Sequence, residues 1–364
     1  MINGGIYFQK MDKKNKPIFF TIFLILILLI IILLLRNNNI EKSTDEMDFE
    51  IIIENLDTPW AIDFLPDGRM VFTERSGNVN LIDFEEKEKD IIAKILVTEI
   101  SESGLAGIAV DPDFDENNFV YLYYTYEGND NIWNRVSRFV LEDKRLKDEK
   151  ILLDNIPAAR FHDGGRIKFG PDKKLYITTG DATVPSTSQN LNSLSGKILR
   201  MNKDTTIPAD NPFGNYIYSY GHRNPQGITW NENIMYAAEH GPTRKDEVNV
   251  IELGKNYGWP TTCDEPSNFE TPIRCYEEFT LAPGGIAYHK NTLYVAGLRG
   301  AQVRKLALGE DRKTVLDEEE LFSDIGRIRE VVIHNDFLYI ATSNKDGRGF
   351  PEINDDKILR VRLD

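Results

Sequence analysis

One pattern recurs along the whole chain: an apolar segment often led by glycine, a turn rich in Asp, Asn, Pro or Gly, then a second strand built around Leu-Tyr or a similar pair. Its six copies are AIDFLPDGRMVFTER from Ala61, GIAVDPDFDENNFVYLYYT from Gly107, GRIKFGPDKKLYITTGD from Gly165, GITWNENIMYAAEHG from Gly227, GIAYHKNTLYVAGL from Gly285 and VVIHNDFLYIATSN from Val331. Several run on into a third strand, as in GKILRMN, EVNVIEL, AQVRKLAL and DKILRVRLD, so each unit reads as a small antiparallel sheet. Sheets of this size returning every ~40 to 60 residues fit propeller blades better than a sandwich. The expectation is an all-β, six-bladed β-propeller over residues 49–364, with FEIIIENL from Phe49 adding an outer strand to the last blade. That closure hides sheet edges that would otherwise be open.

The 364 residues are 41% hydrophobic and 28% charged, enough for a sizeable core. A net charge of -15 with scattered Lys and Arg leaves no footprint for nucleic-acid phosphates. Ahead of the repeats, Pro17 to Leu35 is uncharged and about as long as a bilayer-spanning helix. It is too long for a signal-peptide apolar core, and no small-residue cleavage site follows it. Residues 1–16 are therefore expected in the cytoplasm, 17–36 as a transmembrane signal-anchor and 37–48 as a linker. Lys10, Lys13, Lys14 and Lys16 before the span place the large remainder outside the cytoplasm, as a single-pass cell-membrane protein. In that setting Cys263 and Cys275, with no histidine pair nearby to complete a zinc site, are expected to form a disulfide.

In an antiparallel blade, the loop before the first strand and the loop after the second lie at the same end. Before first strands stand Glu102, His162, Arg223 with Asn224, Thr280, and Arg327 with Arg329; after second strands stand Asp181, Gly241 with Pro242, and Arg299. Such a set converges into a polar pocket around the propeller axis. The guanidiniums of Arg223, Arg299, Arg327 and Arg329 suit a small polyanion carrying carboxylates or phosphates. Backbone carbonyls near Gly241 and Pro242, with the carboxylates Asp246 and Glu247, offer oxygen ligands of the kind calcium takes. His162 can act as a base near neutral pH, and Asp181, on the partner strand of the same hairpin, can fix its tautomer. Trp259 and Pro260 are expected to serve loop packing, and the Tyr and Phe of the strands to form the core between blades.

The motifs FHDGGRIKFGPDKKLYITTGDA, SYGHRNPQGITW and AEHGPTRKDEVNVIELGKNYGWP closely resemble the soluble quinoprotein glucose dehydrogenase and aldose sugar dehydrogenase family. The resemblance covers nearly everything from Phe49 onward. It implies a dehydrogenase that uses pyrroloquinoline quinone (PQQ) and Ca2+ to oxidise aldoses at C1 to lactones, passing electrons to a quinone or cytochrome. By matching position, His162 resembles the catalytic base, Asp181 its orienting carboxylate, and Arg223 with Asn224 the pair beside the reactive quinone carbonyl. Thr280, Arg299, Arg327 and Arg329 resemble cofactor holders, with Glu102 standing where the glucose enzyme has glutamine. Gly241 and Pro242 resemble carbonyl ligands of the cofactor-linked calcium, and Asp246, Glu247 and the Tyr257 carbonyl a second, structural calcium site. Phe161 replaces an acidic neighbour of the histidine, and Arg299 replaces a lysine. Two alternatives from other classes are a non-catalytic ligand-binding propeller and a calcium-dependent lactonase; neither accounts for the full set of His162, Asp181 and the arginines.

Overall fold

The computed structural model describes residues 49–363 except 86, 87, 264, 266 and 267. The expected anchor and linker lie outside the described residues. Among the described residues no helix is long and apolar enough to cross a membrane.

The strands form six four-stranded antiparallel sheets, each blade consecutive in sequence apart from the closure of the last. Blades 1 to 5 begin at Pro59, Leu105, Ile167, Pro225 and Pro283. The sixth comprises Ile328–His334, Phe337–Thr342, Ile358–Arg362 and, from the other end of the chain, Phe49–Ile53. Phe49 lies opposite Val361 and Ile51 opposite Leu359, which is the expected closure of the ring by its two ends. First strands of neighbouring blades lie against one another around the axis. Arg166 of blade 3 pairs with Glu330 of blade 6, across the ring, so their side chains meet on that axis.

The glycines that lead the repeats have a steric cause. A Cβ on Gly107 would fall 2.3 Å from the Gly165 carbonyl oxygen, and one on Gly227 would fall 2.5 Å from that of Gly284. Where inner strands crowd toward the axis, only a residue without a side chain lets the backbones approach. The Leu-Tyr pairs fill the wedge between blades. Tyr121, Tyr176, Tyr236 and Tyr339 are buried, and their rings meet Phe169, Trp230, Tyr288 and Phe64 respectively, each on the first strand of the next blade. Ring pairs of this kind, edge-on, tilted or offset, add about 0.5–1.5 kcal/mol each beyond the area they bury. The expected aromatic core between blades is therefore present. Cys263 and Cys275 are joined by a disulfide that ties a long loop to the last strand of blade 4.

Candidate functional site

At the end of the axis where first strands begin, His162 and Asp181 meet. His162 Nδ1 lies 2.7 Å from Asp181 Oδ1. The carboxylate is fully buried, whereas the imidazole keeps 18% of its side-chain surface accessible. Local sequence makes the contact possible. His162 sits in the left-handed region at φ 65°, a conformation costly for a non-glycine residue and typical of functional sites. Gly180, just before Asp181, passes so close that a Cβ there would lie 1.8 Å from the His162 carbonyl oxygen. The loop after Asp181 is braced from below by Lys197, whose ammonium donates to the carbonyls of Thr187, Ser188 and Ser195 at 2.9, 3.0 and 2.6 Å. Burial pushes this lysine down to about 7. Three carbonyl acceptors nevertheless call for three N–H donors, which only the ammonium supplies.

Glu102 joins the dyad from blade 2. Its Oε2 accepts the His162 backbone N–H at 3.1 Å and the Asn224 amide at 3.4 Å, and its Oε1 faces Arg348 at 3.1 Å. Burial works to raise its pKa, but His240, the His162 N–H, Arg348 and Arg329 outweigh it and hold the group below its ordinary value. Burial also drives His240 down to about 3, so that ring is neutral at pH 7 and the N–H and guanidiniums carry the effect there. The extra anion noted in the sequence is thus ionised and paired. Asn224, fully buried, also accepts the Gly164 N–H at 3.0 Å.

The arginines differ in setting. Arg223 donates from NH1 to the Gly241 carbonyl at 2.6 Å and the His240 carbonyl at 3.2 Å, and its own carbonyl accepts the Asp181 N–H at 2.8 Å. Arg327 grips Asp346 with Nε and NH2 at 3.0 and 2.6 Å. Arg329 lies within the first strand of blade 6 rather than before it; it is buried, bonded to Gln226, and drawn down to about 10 by burial. Arg299 is exposed on the turn after its strand, and Thr280 accepts the Arg244 N–H at 2.9 Å; neither touches the dyad.

Near Arg223, a small cavity of about 10 Å3 is lined by Glu239, Gly241, Pro242, Glu247 and Tyr257 among others. Glu239 and Glu247 face each other in register on adjacent strands. Burial, then the neighbouring Glu239, pushes Glu247 up to about 8. Asp246 is buried, and its two oxygens accept the Gly241 and Ala282 N–H groups at 2.9 and 2.8 Å, while burial raises it to about 6. Among the described residues no three His, Cys, Asp or Glu side chains cluster closely enough to hold a metal. The cavity wall carries the Glu239 and Glu247 carboxylates beside Gly241 and Pro242, oxygen donors of the kind calcium takes.

Three residues of the site escape the sequence reading. Trp259, expected as packing, donates its Nε1–H to Asp181 Oδ2 at 2.8 Å and lies under the Arg223 guanidinium, 5.2 Å from ring centre to carbon. Its loop leaves the far end of blade 4 but is bridged in parallel to blade 3 at Tyr220 and Asn256, which returns it to the site. Asp346 and Arg348 come from the loop after the second strand of blade 6, a position the two-loop rule covers but whose residues no motif marks.

A polyanion fits what is left unsatisfied. Arg223 Nε, Arg329 Nε and His240 Nε2 are buried with no hydrogen-bond partner within the protein. Unpaired buried polar groups of this kind cost about 1–3 kcal/mol each, and a ligand with several acceptor oxygens can remove that cost for the two guanidinium N–H donors.

The family model described as Glucose / Sorbosone dehydrogenase matches residues 56–354. The aldose sugar dehydrogenase of Escherichia coli K12 is 30% identical over 82% of this chain and 90% of its own. A crystal structure from Thermus thermophilus, provisionally assigned as a glucose dehydrogenase, superposes with a TM-score of 0.82 at 39% identity, covering 86% of this chain and 99% of that one. The PQQ-bound aldose sugar dehydrogenase of Streptomyces coelicolor superposes with a TM-score of 0.81 at 34% identity, covering 86% and 96%. With the family model spanning the propeller from the first blade to the last, the chain belongs to the glucose/sorbosone dehydrogenase family.

Proposed function

We propose that this protein oxidises aldose sugars at C1 to lactones with PQQ and calcium, and passes the electrons to an external quinone or cytochrome. The observation that carries this reading is the meeting of the His162–Asp181 dyad with buried, partly unpaired arginines at one end of the axis. When bound, PQQ supplies a hydride-accepting carbonyl and calcium a Lewis acid beside it. Arg223, Asn224, Thr280, Arg299, Arg327 and Arg329 would hold the cofactor, and the Gly241 and Pro242 carbonyls its calcium. Asp246, Glu247 and the Tyr257 carbonyl would hold a second, structural calcium, which would relieve the repulsion between Glu239 and Glu247.

His162 Nε2 takes the proton of the anomeric hydroxyl. Asp181 accepts from Nδ1, which keeps Nε2 free as the base and steadies the imidazolium that results. Burial of Asp181 keeps water from competing for that bond. Phe161 adjoins the base in sequence, and Arg348, paired with Glu102, lies 5.1 Å over its ring. The reading includes an anchored domain outside the cytoplasm, supported by the uncharged run Pro17–Leu35, the lysines before it and the disulfide.

Purified protein supplied with PQQ and calcium should reduce a dye in the presence of aldoses. His162→Ala should bind the cofactor yet lose about 10²–10⁴-fold in kcat, the usual contribution of a positioned base. Full activity in that variant, or no uptake of PQQ by the parent protein, would overturn the reading.

A further inference from the structure

Asp181 is held on both oxygens, and the second holder comes from another blade. Oδ1 takes the His162 Nδ1 contact at 2.7 Å and the Thr183 N–H at 2.8 Å. Oδ2 takes the Trp259 indole N–H at 2.8 Å. The terminal torsion of an aspartate is broad and nearly two-fold, so a carboxylate held on one oxygen can rock and present either oxygen to its partner. An indole N–H only donates. With that donor on Oδ2 and a backbone N–H on Oδ1, the carboxylate is fixed in rotation, and Oδ1 is the oxygen kept facing His162. The hydrogen between Asp181 and His162 then belongs to Nδ1, and Nε2 is left bare.

Trp259 is itself fixed at every other side. Its backbone N–H donates to the Gly221 carbonyl at 2.9 Å, and its carbonyl accepts the Gln189 amide at 2.8 Å. The Arg223 guanidinium lies over its ring. Gly258 precedes it at φ 90°, and Asn256 Oδ1 accepts the Gly258 N–H at 3.0 Å, so the turn that aims the indole is built into the sequence.

We infer that Trp259 is the positioning residue of the dyad: its indole N–H fixes the Asp181 carboxylate so that Oδ1 stays on His162 Nδ1, and thereby holds the His162 tautomer that leaves Nε2 as base. This rests on the reading of His162 as the base, and it extends that reading to a residue on a different blade. It predicts that the N–H matters and the ring shape does not.

The test is 15N-edited NMR of the imidazoles in cofactor-free protein, with His162 assigned by its absence in His162→Gln. The wild type should show one tautomer, protonated on Nδ1. Trp259→Phe should show mixed tautomers. So should the isostere with 3-benzothienylalanine at 259, which exchanges the N–H for sulfur, keeps the ring and protects the test against a folding failure in the phenylalanine variant. In the PQQ- and calcium-loaded enzyme both should lose about 10- to 100-fold in kcat with KM changed less than about twofold, as for one lost hydrogen bond to a charged group. A single unchanged Nδ1–H tautomer in the isostere overturns the inference, whatever the activity. A shifted tautomer in a protein that never oxidises sugars upholds it and overturns the functional reading instead.

Discussion

Glu102 shows how an anionic side chain is accommodated next to the dyad. A carboxylate beside a site proposed to take an anion invites repulsion, yet this one is bonded to the His162 N–H, to Asn224 and to Arg348. Its pKa lies below the ordinary 4.5. For an acid depressed in the folded state, the stabilisation is complete above the unfolded value and is lost as pH falls through the folded one. Glu102→Gln should therefore melt lower than the parent at pH 7, and the gap should narrow as pH falls below about 4.5. Thermal melts from pH 3 to 7 measure this; a gap that is constant across the range would mean that Glu102 carries no charge-dependent stability. Arg327 and Arg329 make the complementary point. Alternating arginines on a strand approach usually face solvent. Here one grips Asp346 and the other is buried against Gln226, and neither partner is near them in sequence.

At the scale of elements, the ring depends on its closing strand. Leu56 follows that strand, is fully buried, and packs with Ile62, Phe72, Val332, Tyr339 and Ile358, which belong to the first and last blades. Its N–H donates to the Asp356 carbonyl at 2.9 Å and its carbonyl accepts the Asp356 N–H at 3.1 Å. Leu56→Ala should cost about 2–5 kcal/mol, as for other buried large-to-small changes, and denaturant unfolding should read it as a lower midpoint with unchanged slope. A lower slope would instead show that the closure had opened before the remaining blades. The loop of Trp259 is the element where the usual blade rule gives way. A connection between third and fourth strands belongs at the far end, but its bridge to blade 3 and the disulfide carry it back.

For the whole molecule, the ring closes over a core between blades and leaves the Arg223 and Arg329 Nε donors unpaired within the protein, which the proposed anionic cofactor would satisfy. PQQ with calcium should raise Tm, by an amount equivalent to about 2.7 kcal/mol at a hundred times Kd, and a chelator should reverse the shift. Scanning calorimetry with each added alone and then together separates the two; PQQ that stabilises equally in chelator would remove calcium from the site. The number of blades, their approximate boundaries and the strand that closes the ring can all be read from the residues alone. Those features are written in local periodicity and in the alternation of turns, which a strand obeys wherever it is packed. The pairing of His162 with Asp181 is legible too, because one hairpin carries both. Packing in three dimensions settles which arginines are paired and which keep a bare donor, how the Glu102 charge is paired, and that Trp259 holds the Asp181 carboxylate. Those contacts join blades distant in sequence, and their energies depend on burial and on which partner lies across the axis, quantities that no local pattern encodes.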